Sequence, residues 1–229
     1  MNLRTFNHVQ LPELNFELKA VTTDDGRKYT TPQGNVYPSI TTVLSAYNKK
    51  SILEWRQKVG AEEANRISSK AARRGTALHT VCEKYLLNEI DFKYSQAMLP
   101  DTKELFLQLK PYIDENVGDV YAIEQSLYSD RLQVAGRNDC IADWNGKISV
   151  IDYKSSSKEK NENWIQNYFM QCTAYAIMFE DLTGKEIEQI VVAIAVADGQ
   201  PQIFVREKTK YISPLLEFVG NYHGKLLTL

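Results

Sequence analysis

Gly136-Arg137-Asn138-Asp139 and Ile151-Asp152-Tyr153-Lys154 are the two stretches that decide the fold. Between them lies Asn145-Gly146, a strong signal for a tight β-hairpin turn. We therefore expect the two stretches to lie on adjacent, paired strands. A hairpin closed at this turn can bring Asp139 and Asp152 to the same end of the sheet.

The D-x-K pattern of the second stretch carries the chemistry. Side chains alternate along a strand, so Asp152 and Lys154 point to one face and Tyr153 to the other. Converging carboxylates repel each other unless a cation lies between them, and Mg²⁺ is a common partner of carboxylate oxygens. A lysine beside the ion can hold a water or steady an oxyanion, a set that suits hydrolysis of a phosphodiester.

A simpler interpretation treats these charges as solvent-exposed groups at strand ends. D-x-K alone occurs by chance in many chains, and the pattern by itself does not separate the two interpretations. The context favours a functional one, because Ser149-Val150-Ile151 is typical of a buried strand and Asp152 and Lys154 follow at its carboxyl end. That edge of an α/β sheet is where sites form.

Size and composition fit an ordinary soluble globular protein. The chain has 229 residues, of which 43% are hydrophobic and 24% charged, and its net charge is −2. Any contact with nucleic acid must therefore come from local basic patches. The three scattered cysteines (Cys82, Cys140, Cys172) predict reduced thiols and too few ligands for an iron–sulfur cluster. We expect a cytoplasmic protein without a signal peptide or a membrane span.

The first part of the chain, residues 1–117, is predicted to be a small hairpin followed by helices. Ser39 is a suitable N-cap for a helix opening at Ile40, and Ser51 for a second one. The second helix is expected to reach about Leu87, with a possible break at Gly75. The predicted elements are strands over residues 16–23 and 27–31 and helices from residues 40, 52 and 101, the last ending at 116.

The second part, residues 118–229, is predicted to be an α/β core. Gly184 is a natural C-cap for a long helix. The predicted strands cover 120–128, 133–143, 147–154, 187–197 and 201–206, and the helices cover 163–182 and 213–226. This order indicates an α/β fold, with a mixed central sheet flanked by helices and an N-terminal helical extension, in a single domain over residues 1–229.

Four motifs in this order resemble the RecB-like branch of the PD-(D/E)XK nuclease superfamily. The opening also resembles the mitochondrial genome maintenance exonucleases and their phage-encoded relatives. The resemblance spans about residues 37 to 180 and implies a restriction-endonuclease-like core. The opening and the motifs are Pro38-Ser39-Ile40-Thr41-x-Val43-Leu44, Arg74-Gly75-x-x-x-His79, Gly136-x-x-Asp139, Ile151-Asp152-x-Lys154 and Gln171-x-x-x-Tyr175.

The resemblance implies a metal site and a catalytic set. Asp139 and Asp152 would bind Mg²⁺ or Mn²⁺, with the peptide carbonyl of Tyr153 as a further ligand. Lys154 would position the attacking water and offset the charge of the transition state. His79 would be an additional ligand, although a lone histidine is more often simply packed. Glu124, on the first strand of the core, is a further metal-ligand candidate.

Several other residues are candidates for contacts with DNA. Gln171 and Tyr175 lie four residues apart and so share a helix face, which the resemblance places beside the catalytic lysine; an ordinary amphipathic helix is the alternative. A basic stripe and one loop lysine complete the set: Arg66, Lys70, Arg73, Arg74 and Lys158. If the helix were unbroken at Gly75, the stripe would lie well around the helix from His79.

The predicted function is that of a metal-dependent DNA exonuclease in replication, recombination or repair. The single-strand preference rests on the resemblance alone. A duplex end-resecting exonuclease of the phage recombination type is one alternative, and a non-catalytic nucleic-acid-binding subunit is another. The presence of Asp139, Asp152 and Lys154 argues against the last.

Overall fold

The polypeptide folds around a five-stranded mixed β-sheet, as seen in a computed structural model that describes residues 3–228, without the side chains of residues 47, 48, 50 and 92. The helices are α1 (Ile40–Val59), α2 (Ala61–Leu86), α3 (Phe92–Ala97), α4 (Pro100–Asn116), α5 (Gln166–Thr183) and α6 (Thr209–His223). The strands are β1 (Lys19–Thr23), β2 (Gly26–Thr30), β3 (Val36–Pro38), β4 (Val117–Ile123), β5 (Ser126–Ser129), β6 (Val134–Arg137), β7 (Cys140–Trp144), β8 (Lys147–Ser156), β9 (Gln189–Val196) and β10 (Gln202–Glu207).

The central sheet has the strand order β10-β9-β8-β7-β4. Strands β8 and β9 are parallel, whereas the other three neighbouring pairs are antiparallel. The two remaining sheets are the three-stranded β1-β2-β3 and the pair β5-β6. The predicted α/β fold with a mixed central sheet is therefore confirmed. Among residues 3–228, no helix has the length and apolar character needed to cross a bilayer.

The hairpin between β7 and β8 is formed as predicted. Its closing pair is Trp144 with Lys147, and Cys140 lies opposite Ile151 at its far end. Asn145 and Gly146 both have positive φ, 53° and 78°, which is the backbone of the two-residue turn that matches strand twist. The register places Asp139 and Asp152 at the same end of the sheet.

Helices cover both faces of the central sheet. Helices α1, α5 and α6 pack on the face that holds Val150, whereas α2 and α4 pack on the face that holds Ile151. Strand β8 is thus covered on both sides, with Val150 buried on one and Ile151 on the other, which is typical of a central strand. The polar residues at its carboxyl end are consequently brought between two helical layers.

Two helix boundaries were predicted correctly. The Ser39 side chain accepts a hydrogen bond from the backbone N–H of Thr42 and so caps α1. Gly184, with φ 69°, ends α5 in the left-handed conformation that favours glycine.

Two other boundary predictions were wrong. Ser51 does not begin a second helix, because α1 continues through it to Val59 and the break falls at Gly60, where φ is 87°. Helix α2 is not broken at Gly75, since it runs from Ala61 to Leu86 without interruption. A glycine inside a helix costs only about 1 kcal/mol, which the packing of the last turns of α2 against the sheet offsets.

The two predicted long strands before the hairpin are each divided. Glu124, with φ 48°, ends β4 and separates it from β5, and Asn138 and Asp139 separate β6 from β7. The backbone N–H of Glu124 donates to the carbonyl of Asp139 at 3.0 Å. The two interruptions therefore face each other at one end of the sheet. The short elements β3 and α3 had no predicted counterpart.

Gly136 is required by a close approach of Tyr175. A Cβ atom at Gly136 would lie 2.7 Å from the Tyr175 ring and 3.3 Å from a methyl group of Ile40. Both neighbours are buried, so neither side chain has free space to move into. The glycine therefore lets β6 pack directly against α1 and α5.

We predict that Gly136→Ala lowers the free energy of unfolding by about 1–3 kcal/mol, because overpacking forces a buried ring to shift. Denaturant titration would measure the change. Gly75→Ala is a matched control, since its Cβ would meet only the Ser155 hydroxyl at 3.9 Å. That substitution should raise stability by up to about 1 kcal/mol. Equal effects of the two alanines would contradict this account of Gly136.

Candidate active site

A buried ion pair at the carboxyl end of β8 forms the centre of the site. The Lys154 ammonium donates to Asp152 Oδ1 at 2.6 Å and lies 2.5 Å from Oδ2. Gln171 of α5 also donates to Oδ1, at 3.3 Å. Oδ2 is buried and has no hydrogen bond of its own among the described residues. Both oxygens of this carboxylate therefore face the Lys154 ammonium, and Oδ1 is the one that accepts hydrogen bonds.

A second cluster lies around Asp139, in the gap between β6 and β7. His79 Nδ1 of α2 is 3.3 Å from Asp139 Oδ1, and the backbone N–H of Tyr153 donates to Oδ2 at 2.8 Å. The Tyr153 side chain is buried on the opposite face, among residues of α2 and α4. The peptide group between Asp152 and Tyr153 therefore links the two carboxylates, because its N–H binds Asp139 and Asp152 precedes it in the strand.

Glu124 completes the second cluster from the end of β4. Ligand atoms of His79, Glu124 and Asp139 all lie within 4.8 Å of one another. Arg137 approaches Glu124 from the outer side, with Nε 2.9 Å from Oε2 and 2.7 Å from the backbone carbonyl. Three predicted metal ligands from separate elements are therefore brought together, whereas the Asp152 carboxylate is turned toward Lys154.

The electrostatics of these groups differ sharply. Burial raises the pKa of Glu124 to about 7, and the charge of Asp139 adds to this effect. Burial likewise raises the pKa of Asp152 to about 6, against the opposing effect of Lys154. Burial opposes ionisation of Asp139 too, but the hydrogen bond with His79 and nearby positive charges lower its pKa. Burial thus hinders ionisation of Glu124 and Asp152, whereas Asp139 ionises readily.

These donors fit a divalent cation. Carboxylate oxygens are preferred by Mg²⁺, and a set that adds one imidazole also suits Mn²⁺. Burial raises the pKa values of Glu124 and Asp152, so an added positive charge would favour the ionised form of both carboxyls. His79, Glu124, Asp139 and Asp152 could hold such an ion.

Lys154 is held on two sides. Besides the Asp152 carboxylate, the ring of Tyr168 on α5 lies 5.3 Å from its ammonium, within the range of a cation–π interaction. Burial opposes the charged form, but Asp152 and Asp139 outweigh it and raise the pKa of Lys154. The ammonium therefore stays charged and fixed in place.

The two predicted residues of α5 play different parts. Gln171 contacts Asp152, as described above. Tyr175 is 2% exposed and packs against Gly136 of β6, a placement that favours support of this strand over the predicted contact with DNA.

The basic stripe of α2 is divided between the site and the solvent. Arg74 Nε donates to the hydroxyl of Ser155, the residue after Lys154, at 3.2 Å. Lys70 and Arg73 are exposed, and Arg66 is paired with Glu63 at 2.7 Å. Helix α2 is unbroken at Gly75, and of these four basic residues Arg74 is the one that contacts β8. Lys158 is exposed in the loop after β8, where its backbone bonds to Ser156.

Three residues of the site were not singled out for these roles from the sequence. Arg137 pairs with Glu124, Ser155 receives Arg74, and Tyr168 covers Lys154. Arg137 and Ser155 each stand next to a motif residue in the sequence, and this position could have indicated that they belong to the site. Tyr168 stands three residues before Gln171 on the same helix, a spacing that places both on one face.

The model of the PD-(D/E)XK nuclease superfamily matches residues 52–211. The chain belongs to this superfamily. It is also similar to the human mitochondrial genome maintenance exonuclease 1, with 29% identity over 182 residues, covering 74% of this chain and 52% of the human protein. The Xenopus tropicalis protein of the same name is 24% identical over 163 residues, covering 69% and 44%.

The chain spans about half the length of these curated relatives. A crystal structure of a protein from Eubacterium rectale has a TM-score of 0.47 with this fold, at 10% identity, covering 66% of this chain and 65% of that one. The sequence Asp152-Tyr153-Lys154 fits the D-x-K pattern that gives this superfamily its name.

We predict that Glu124→Gln stabilises the metal-free protein at pH 8. The pKa of Glu124 is about 7 in the folded protein, against an ordinary value of 4.5. Ionising this carboxyl in the folded state therefore costs stability as the pH rises from 4.5 to 7, and the full cost applies above pH 7. Allowing for the group's partial exposure, the gain is roughly 1–2 kcal/mol at pH 8 and vanishes near pH 4.5. Urea titrations in EDTA at the two pH values would measure it.

Glu188→Gln, at an exposed position, is the control for replacing a carboxylate by an amide. In Mn²⁺ at pH 8 the wild type should become more stable than Glu124→Gln, because the ion neutralises the Glu124 carboxylate and the variant has no carboxylate there. A Glu124→Gln gain that is equal at pH 4.5 and pH 8 would contradict the electrostatic account.

Proposed function

We propose that this protein is a divalent-metal-dependent DNA exonuclease that hydrolyses phosphodiester bonds and prefers single-stranded DNA. The observation that carries the proposal is the buried Asp152–Lys154 pair beside the cluster of His79, Glu124 and Asp139. Membership of the superfamily and the names of the relatives support nuclease chemistry. A role in DNA replication, recombination or repair is part of the same proposal.

The chain's own residues prepare the reaction. Asp139 and Asp152 would hold Mg²⁺ or Mn²⁺, with His79, Glu124 and the Tyr153 carbonyl as further ligands; the ion supplies Lewis-acid charge and a more acidic bound water. Lys154 presents a fixed ammonium that can orient the attacking water and stabilise negative charge developing on the phosphate oxygens. Gln171 and Tyr168 keep that ammonium and its carboxylate in position.

The substrate is proposed from the charges around this centre. Arg74 lies beside β8 and can neutralise a phosphate near the scissile bond, while Lys70, Arg73 and Lys158 are exposed and can bind phosphates farther along a strand. Arg66 is already paired with Glu63, so we assign it the weakest part. Gln171 and Tyr175 complete the predicted DNA-binding set, but Tyr175 is buried against Gly136, so we assign the contact to Gln171 and a supporting part to Tyr175.

End-labelled single-stranded, duplex and circular DNA, each with Mg²⁺, Mn²⁺ or EDTA, would test the function. The proposal expects metal-dependent release of nucleotides from linear single strands, slower degradation of duplex and an intact circle. Blunt duplex degraded at least as fast as single strands would favour the duplex end-resecting alternative. Binding without cleavage in either metal would instead favour a non-catalytic subunit.

We predict that Asp152→Asn and Lys154→Met each lower the cleavage rate by at least about 10³-fold, because each removes a charge that acts on the reacting phosphate. Each single change also leaves a buried charged partner, at a cost of about 3–5 kcal/mol. Initial rates and thermal melts of the purified variants would measure both effects.

The double variant Asp152→Asn/Lys154→Met is the control for folding. It removes both members of the pair, so it should melt above either single variant while remaining inactive. Retained metal-dependent cleavage in a folded single or double variant would overturn the assignment of these residues.

A further inference from the structure

We infer that Trp164 is a stacking platform for an unpaired base of the substrate, and that it sets the preference for single-stranded DNA. The inference rests on the proposed nuclease function and adds a specificity residue to it. Trp164 is 78% exposed, which leaves most of the indole surface available. The other two tryptophans differ, because Trp144 is buried in the core and Trp55 is half-buried.

Trp164 is exposed on a rigid frame. It ends a one-turn 3-10 helix, Glu162–Trp164, and its backbone N–H donates to the carbonyl of Asn161 at 2.9 Å. The Glu162 carboxylate binds Arg206 of β10 through two bonds of 2.7 Å. The next residue, Ile165, is buried in the core. The backbone that carries the indole is therefore fixed on both sides, which lowers the conformational entropy lost when a base stacks on the ring.

The position of Trp164 connects it to the catalytic centre. Tyr168 lies one helical turn farther along the chain, and its ring contacts the ammonium of Lys154 at 5.3 Å. Trp164 is therefore followed along the chain, within four residues, by the aromatic ring that covers the proposed catalytic lysine. We infer that a nucleic-acid strand with one phosphate at Lys154 extends past Tyr168 to the indole.

The surrounding loop has the charge that such a strand requires. Lys158 and Lys160 are exposed between β8 and Trp164. The loop is anchored to β10, because the backbone N–H of Lys160 donates to the side chain of Gln202 at 2.7 Å and its carbonyl accepts from the same amide at 3.0 Å. Basic groups that follow the backbone, next to an aromatic ring that takes a base, are how proteins hold single strands.

Stacking on Trp164 also explains discrimination against duplex DNA. In a duplex each base is stacked and paired, so its face is not available to an indole from outside. An unpaired base can turn toward Trp164 without breaking a pair. The platform therefore adds affinity to single strands only.

Abasic substitution would test this. A set of single-stranded oligonucleotides, each with one base removed at a different position, would be bound and cleaved by the wild type and by Trp164→Ala. For the wild type we expect one position, near the scissile phosphate, at which the missing base raises KM about tenfold. In Trp164→Ala that position should be indistinguishable from its neighbours, with KM for the intact strand raised about tenfold and kcat changed little. Trp164→Phe should retain part of the effect.

Tyr112→Ala is the matched control, since it removes an exposed aromatic ring from α4, on the other side of the central sheet. It should retain the wild-type abasic profile. Trp164→Ala should also narrow the ratio of single-strand to duplex cleavage, which a purely structural defect would not do.

Three results would overturn the inference. One is an abasic profile in Trp164→Ala that matches the wild type, which would leave the nuclease function intact. Another is an equal loss by Trp164→Ala on every abasic, intact and duplex substrate. The third is a wild-type protein that cleaves no DNA with Mg²⁺ or Mn²⁺, which would remove the nuclease function and this inference together.

Discussion

The buried ion pair between Asp152 and Lys154 is the constraint on which the rest of the site depends. Both side chains project from a strand that is covered on both faces, so each charge is removed from most of its solvent. Unpaired, either charge would cost several kcal/mol. Gln171 and Tyr168 from α5 complete the enclosure, so the proposed catalytic lysine is correctly placed only when that helix packs on the sheet.

A second constraint comes from the breaks in two strands. Glu124 and Asp139 occur where regular pairing stops, and a backbone hydrogen bond ties these two breaks together. His79 reaches the same point from α2, on the other side of the sheet. Burial, together with the nearby charge of Asp139, raises the pKa of Glu124. Converging carboxylates lower the stability of the metal-free protein, and a bound cation would offset that cost.

The sequence predicted the parts of this arrangement that follow from local pattern. Asn145-Gly146 set the hairpin register, and the register brought Asp139 and Asp152 to one end. Local pattern did not predict that α1 would pass through Ser51, because a serine side chain is compatible with both a cap and a helix interior. Long-range packing decided the rest: Tyr168 reaches Lys154 only once α5 lies on the sheet, and no spacing along the chain encodes that distance.

The central claim is that these carboxylates form one divalent-cation site at the end of β8. Anomalous scattering from crystals soaked in Mn²⁺ tests it most directly. We predict an anomalous peak for a manganese ion that is bound by Asp139 together with Glu124 or His79. The Asp152 carboxylate should have turned away from Lys154 to bind the same ion. Full soaking with no anomalous peak at Asp139, and with the Asp152–Lys154 pair unchanged, would contradict the account.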